Sequence, residues 1–298
     1  MSCHAGIARQ RNIRDPGAKN TAQRILPWIP ALVAGIHLHT CSGAWRLDTG
    51  HEPRYDSAME WSDEGVVLSV RPHGEAAAVL ELFTRRHGRH LGLVHGGRSR
   101  KLRPVLQIGN HLDAGWKARL ADNLGHFTVE LRKGFAALLM EDAAALMAMT
   151  SMAALTRLLP ERDPHPNLFE VTQFVLGFLD DRAVWPALVV RWELALLEEL
   201  GFGLDLASCA STGQSTDLIY VSPKSGRAVS SGAGEPYKDR LLALPVFLRG
   251  GVPGRVSAED VAAGFALTGH FLTDRVLAPR DMKMPDVRGR LLGYLRRP

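Results

Sequence analysis

The pattern of apolar residues changes near residue 132, and this change limits the folds open to the chain. Before it, from Gly65 onward, short apolar segments with β-branched or aromatic residues are separated by Gly and Pro, which predicts a series of strands. After it, residues 135–159 are mostly Ala, Leu and Met, which are among the best helix formers. The sequence therefore predicts an α+β chain, with a β-rich module at 59–132 followed by a helical module at 133–298.

Five segments of the first module are predicted to be strands. Five short strands at this spacing favour a small closed barrel, because closure leaves no exposed strand edge, and the length fits the five-stranded OB-fold. The predicted strands are 65–70, 78–83, 91–95, 104–108 and 126–131. The aromatic residues of this module, Trp61, Phe83, Trp116 and Phe127, are expected in its core rather than on a base-stacking surface.

The second module is predicted to be a helical bundle. The apolar residues of 135–159 run almost all round the helix, which indicates one buried helix or two consecutive helices. Further helices are predicted at 167–181, at 186–200 and from Ser257 to residue 277. Between 206 and 237 the helical pattern is absent, and a small inserted subdomain is predicted there. Its predicted β-hairpin pairs residues 218–221 with 228–229.

Residues 1–58 show no sustained periodicity, and we expect them to lie outside the fold. Basic residues followed by an apolar run at 25–36 admit a secretory signal peptide. Two prolines interrupt that run, however, and no convincing small-residue cleavage site follows it. A dispensable extension, disordered or translated from an upstream start codon, is the favoured interpretation, because Met59 opens a segment that reads like a true beginning.

Composition narrows the class of protein. The 46% apolar and 22% charged fractions are typical of a globular protein with a sizeable core, and no apolar run is long enough to predict a membrane span. The three scattered cysteines predict no disulfide framework and favour a cytoplasmic setting. A net charge of +5 permits a polyanionic partner without requiring one.

Residues 85–103, here called the basic stretch, carry seven positive charges and no Asp or Glu. Charge runs are usually solvated faces, but seven uncompensated charges on a small barrel favour nucleic acid, because guanidinium groups donate readily to phosphate oxygens. The predicted DNA-binding residues are Arg85, Arg86, Arg89, Arg98, Arg100, Lys101 and Arg103, with Lys117 and Arg119 as secondary candidates.

No catalytic motif is present in the sequence. A phosphate-binding loop of the form GxxxxGK[ST], a nucleophile elbow GxSxG, a zinc-protease HExxH and a zinc-deaminase signature are all missing. The twelve histidines are spread along the chain rather than clustered. The sequence therefore predicts a protein without enzymatic activity or a cofactor.

Four stretches, in this order, resemble the RecO family of bacterial recombination mediators. They are GVVLSVRPHGE with LFTRRHGRHLGLVHGGRSRK, LQIGN with the following Trp116, RLLPERDPHP, and RWELALLEELGFGLDLASC with YVSPKSGRAVS. The resemblance implies an N-terminal OB-fold, a helical C-terminal domain, and binding and annealing of single- and double-stranded DNA. It also implies partnership with RecR and single-strand-binding protein in loading the recombinase, in the cytoplasm and at the nucleoid.

Some members of that family hold zinc with two C-x-x-C pairs. The matching positions here are Cys209, Thr212, Ser222 and Ser225. A structural zinc site needs four thiolate or imidazole ligands, and one thiol remains. No histidine lies between residues 166 and 269 to compensate. We therefore expect no metal in this subdomain, which becomes a degenerate version of the zinc site.

The resemblance implies a second ligand, the acidic, Phe-tipped tail of single-strand-binding protein. Such a tail needs an apolar groove with a basic rim. One candidate group is Phe174, Phe178, Arg191 and Trp192, although helix packing explains these residues equally well. The C-terminal Arg288, Arg290, Arg296 and Arg297 either extend the DNA surface or are solvated charges. The alternative function is a non-catalytic scaffold whose basic stretch binds an acidic protein.

Overall fold

The computed structural model describes residues 59–120, 122–249 and 256–296. The expected dispensable extension, residues 1–58, lies outside the described residues. Within those described ranges, no helix has both the length and the apolar character needed to cross a membrane.

Five strands form a closed barrel at the start of the described chain. The strands are β1 (Met59–His73), β2 (Ala77–Thr84), β3 (Gly88–Val94), β4 (His111–Ala118) and β5 (His126–Lys133). Their order around the barrel is β1-β2-β3-β5-β4, and β4 closes onto β1. β3 meets β5 in parallel, whereas the other neighbours are antiparallel. The predicted OB-like barrel is therefore confirmed.

The predicted strand at 104–108 is wrong. In this segment the chain makes helical turns, because the amide of Arg103 donates to the carbonyl of Ser99, and the amide of Leu106 donates to the carbonyl of Leu102. The fourth strand is β4, in which buried residues alternate with more exposed ones. The sequence of β4 alternates apolar with polar residues, but it has no β-branched residue. Residues 104–108 have two, and β-branched residues favour strands, so the sequence predicts a strand there instead.

Helices follow the barrel. Of the two interpretations of residues 135–159, the structure has two consecutive helices, α1 (Ala136–Glu141) and α2 (Ala143–Thr156). Asp142 separates them, because its carboxylate accepts hydrogen bonds from the first amides of α2 and so caps the new helix. α3 (Pro166–Leu176) and α4 (Trp185–Glu199) come next. α3 ends five residues before the predicted helix does.

The insert contains the predicted hairpin and one strand more. β6 (Leu218–Val221) pairs with β7 (Ala228–Ser230), and β8 (Leu242–Ala243) adds to the other edge of β6. A short helix, α5 (Ser231–Gly234), and a 3₁₀ turn (Glu235–Arg240) lie between β7 and β8. A second 3₁₀ turn (Val246–Leu248) follows β8.

Two helices complete the chain. α6 (Ala258–Phe271) begins at the predicted capping box of Ser257 and Asp260, continues as a π-helix (Leu272–Leu277) and ends in a 3₁₀ turn (Ala278–Arg280). α7 (Asp286–Leu295) packs against α2 and α6. Arg288 of α7 is 4% exposed and its Nε donates to Glu193 of α4 across 2.7 Å. This buried ion pair removes Arg288 from any DNA surface, which corrects that expectation.

The barrel and the helices each have an apolar core, and the outer face of two barrel strands packs into the core of the helices. One apolar cluster fills the barrel interior, and a second, larger cluster lies among the helices. Residues on the outer face of β1 and β2, namely Val66, Leu68 and Phe83, belong to the helical cluster. The ring of Phe83 meets that of Phe169 in α3 at 5.7 Å between centroids. The outer face of β1 and β2 is therefore covered by helices.

Candidate nucleic-acid interface

The first part of the basic stretch is ion-paired to acids that are distant in sequence. Arg85 and Arg86 lie in the turn between β2 and β3. Arg85 Nη1 is 3.1 Å from the carboxylate of Glu64, and its other terminal nitrogen pairs with Glu170 of α3. Arg86 Nε lies 3.4 Å from the carboxylate of Asp63. The charges that the sequence shows as uncompensated are compensated here by the fold.

Asp63 holds this turn against β1. Its Oδ2 accepts a hydrogen bond from the amide of Arg86 at 2.7 Å and lies 3.0 Å from Nδ1 of His87. Burial acts to raise the pKa of Asp63, but these hydrogen bonds outweigh it and leave the pKa below its usual value. The ring of His87 in turn stacks on Trp61 at 4.0 Å between centroids.

Arg89 belongs to an interior network. Its side chain is 12% exposed, and Nη1 lies 2.9 Å from Glu81 of β2 and 3.2 Å from Glu161. The buried Glu81 also accepts hydrogen bonds from Arg157, the residue that follows α2, and from Ser69 of β1. Arg89, a predicted DNA contact, therefore connects the barrel to the helical part, and little of its side chain is exposed.

The second part of the basic stretch is different. Its four cations lie in the connection between β3 and β4, here called the basic loop (residues 95–110), and all four are exposed. They are Arg98, Arg100, Lys101 and Arg103. Within the described ranges none of them forms an ion pair, although Arg98 donates to the carbonyls of Gly74 and Glu75. The structure brings these four of the predicted residues together on one loop.

The secondary candidates lie at the other end of β1. Lys117 and Arg119 flank Ala118, and Ala118 pairs with Met59, the first residue of β1. Arg98, by contrast, contacts the turn that follows the last residue of β1. Lys117 also pairs with Glu60 at 3.3 Å. These two cations are therefore not part of the surface that the basic loop forms.

Two grooves of similar size flank the barrel, and their charges differ. A groove of about 730 Å³, here called the interdomain groove, lies between β1, the basic loop and α2. Its lining includes Arg98, Arg103 and Arg157 and contains no Asp or Glu. The other groove, of about 670 Å³, has three arginines and four acids, namely Asp63, Glu64, Asp113 and Glu130. A polyanion is therefore favoured in the interdomain groove.

Arg157 is the residue of this site that the sequence reasoning missed. It stands in the stretch RLLPERDPHP, which carried the family resemblance, but it is 54 residues from the nearest cation of the basic stretch. Only the folding of α2 against the barrel brings it to the groove. Its side chain is 42% exposed even though it pairs with Glu81.

The degenerate zinc positions form hydrogen-bonded turns. Cys209 is buried, and its sulfur accepts from the amide of Ser230 at 3.3 Å. Ser222 accepts from the amide of Ser225, and Thr212 is exposed. Burial acts to raise the pKa of the Cys209 thiol, but hydrogen bonds from Ser230 and Thr212 outweigh it and bring the pKa to about 6. No His, Cys, Asp or Glu cluster suited to a metal occurs in the part of the chain that the structure describes.

The four candidates for tail binding are engaged in packing. Trp192 is fully buried and donates to Thr172 at 2.8 Å, and Arg191 donates to the carbonyl of Phe247. The rings of Phe174 and Phe178 are partly buried and lie 4.9 Å apart. These contacts account for all four side chains without a ligand.

A mostly apolar groove of about 700 Å³ lies elsewhere in the helical part, between α6, α7 and the start of α4. Its apolar lining includes Val261, Phe265 and Leu292. Two arginines, Arg182 and Arg296, and one acid, Glu259, also line it. We call it the tail groove. The guanidinium of Arg182 lies 5.0 Å from the centre of the Tyr294 ring, which holds that cation close to α7.

Comparison with known proteins gives consistent matches. The family model for the Recombination protein O N terminal matches residues 59–135, and the one for the C terminal matches residues 140–283. A DNA repair protein RecO from Methylobacterium nodulans is 56% identical over 234 residues, covering 77% of this chain and 95% of the relative. Relatives of the same description from Methylorubrum populi (54% identical; 78% and 97% covered) and Rhodopseudomonas palustris (51%; 80% and 97%) are also similar.

Proposed function

Because the chain belongs to the RecO family of DNA repair proteins, we propose that it binds single- and double-stranded DNA and anneals complementary strands. In this role it works with RecR and single-strand-binding protein to load the recombinase, in the cytoplasm and without catalysing a reaction. The observation that supports DNA binding best is the basic loop, where four exposed cations have no ion pair within the described ranges. Two of them, Arg98 and Arg103, line a groove without acids.

Annealing requires that the repulsion between two phosphate backbones is neutralised while the base edges remain open to pairing. Lys and Arg do this by holding phosphates without reading sequence, and the counterions released on binding make the affinity depend on salt. Arg85, Arg86 and Arg89 are weaker candidates for this task, because nearby carboxylates already neutralise their charges. The proposal therefore rests on the basic loop rather than on the whole basic stretch.

The test of DNA binding is fluorescence anisotropy with an unstructured oligo(dT) and with a blunt duplex, each titrated at several salt concentrations. We expect binding that weakens steeply with salt and shows little preference for sequence. A second assay follows the annealing of two complementary labelled oligonucleotides with and without the protein. A chain that binds neither DNA and does not speed annealing would instead favour the scaffold function, in which an acidic protein occupies the basic loop.

For single-strand-binding protein, we propose the tail groove as the docking site. An apolar groove with two arginines is complementary to an acidic peptide that ends in an aromatic residue. A peptide of that composition should bind to the chain, and Arg182→Glu with Arg296→Glu should abolish binding by charge repulsion. Replacing Lys238 and Arg240 by Glu, on the exposed 3₁₀ turn of the insert, provides the matched control. Binding that survives the first pair of changes rejects the tail groove as the site.

A further inference from the structure

The interdomain groove combines an apolar floor with a cationic rim. Leu68 of β1, Ile108 of the basic loop and Ala153 of α2 contribute apolar surface. Small residues keep it open, and Gly97 has no room for a side chain, because a Cβ there would lie 2.8 Å from that of Ala78. The volume of about 730 Å³ falls within the range of about 300–1,000 Å³ that holds a small organic ligand.

The polar groups of the groove are only partly used within the protein. Arg98 donates to two backbone carbonyls through Nη1, which leaves Nη2 to contact a ligand. Arg157 contacts Glu81 through Nε and Nη2. Gln107 also lines the groove and donates its amide nitrogen to the carbonyl of Arg103, which leaves its side-chain oxygen as an acceptor. Cationic donors for a phosphate thus stand beside an apolar slot and an acceptor for a base edge.

We propose that the interdomain groove is a pocket for one unpaired nucleotide of single-stranded DNA. The base lies against the apolar floor, and its phosphates are held by Arg98 and Arg103. A paired base cannot enter without leaving its stack, at a cost in free energy, so the pocket favours single strands over duplexes. This inference rests on the proposed DNA binding and adds to it a site at which the two DNA forms are distinguished.

Filling the groove without changing its charge tests the pocket. Ala154 of α2 lines the groove and is partly exposed, and Ala154→Phe would occupy the space of the base. The control is Ala143→Phe, at an exposed position in the first turn of the same helix and outside the groove. We expect Ala154→Phe to weaken oligo(dT) binding by about tenfold and duplex binding by less than about twofold. The control should bind both as the wild type does.

A second measurement compares two single-stranded oligonucleotides, one with bases and one without. The wild type should bind an oligonucleotide of abasic sites more weakly than oligo(dT), and Ala154→Phe should bind the two alike. Equal binding of both oligonucleotides by the wild type, or equal losses for oligo(dT) and duplex in Ala154→Phe, would overturn the pocket while leaving DNA binding intact. A wild-type chain that binds no DNA at all would instead overturn the proposed function.

Discussion

Nη2 of Arg157 lies 2.7 Å from Oε2 of Glu81, and this contact joins the end of α2 to the middle of β2. Glu81 is 2% exposed. Burial acts to raise its pKa, but hydrogen bonds from Arg157 and Ser69, with a further one from Arg89, outweigh burial and lower the pKa. The same arginine lines the interdomain groove, so the residue that fixes the helices to the barrel also shapes the candidate DNA site.

We expect Arg157→Ala to destabilise the protein by about 1–3 kcal/mol, because it leaves a buried carboxylate with fewer hydrogen bonds. Glu81 keeps Arg89 as a partner, which limits the loss. Urea denaturation measures the change in the free energy of unfolding. Lys238→Ala, which breaks an exposed pair with Glu235, should change it by no more than about 0.5 kcal/mol. Equal stability of the two variants would contradict a structural role for Arg157.

His90 should make the fold sensitive to mild acid. His90 is 4% exposed, and its ring lies among those of Trp61, Trp116 and Phe127. Burial, with a smaller contribution from the charge of Arg162, lowers the pKa of His90 to about 4. Between pH 6.5 and 4 the unfolded chain therefore binds a proton at this position that the folded chain does not, and stability falls as the pH falls through this window.

His90→Phe should remove that dependence. From pH 7 to pH 5 the wild type should lose about 2 kcal/mol more than the variant, as measured by urea denaturation at each pH. The control is His73→Phe, which makes the same replacement at the exposed end of β1. Parallel stability curves for the wild type and His90→Phe would show that His90 is protonated in the folded state.

The sequence predicted the fold better than the site, for a physical reason. Strand alternation, capping residues and helix formers act over a few residues, so the barrel, α2, α4 and the hairpin of the insert could be identified locally. The prediction of a strand at 104–108 is wrong because this segment has β-branched residues, whereas β4, the strand that does form, lacks them. Charge compensation acts between strands and helices, so the partners of Arg85 and Arg89, namely Glu64, Glu81 and Glu170, could not be assigned from the linear sequence.

The basic loop should account for most of the salt dependence of DNA binding. Replacing Arg100, Lys101 and Arg103 together by Ala removes three exposed cations without breaking an ion pair of the described structure. The slope of log K against log salt for oligo(dT) should become shallower by about 2. Lys117→Ala with Arg119→Ala, at the other end of β1, should leave the slope nearly unchanged. The reverse result would contradict the assignment of the DNA-binding surface to the basic loop.

The insert should hold its shape without zinc, and its thiol should be protected. Two effects compete at Cys209: its pKa of about 6 favours the reactive thiolate at neutral pH, whereas its 1% exposure blocks reagents. We expect access to dominate, so that a disulfide reagent modifies Cys209 only when the insert opens. A chain with Cys3→Ser and Cys41→Ser leaves Cys209 as its one thiol, and the rate of modification in buffer is compared with that in denaturant.

Metal analysis of the same protein, purified with added zinc, should find far less than one zinc per chain. Rapid modification in buffer, or stoichiometric zinc, would contradict this account of the degenerate site.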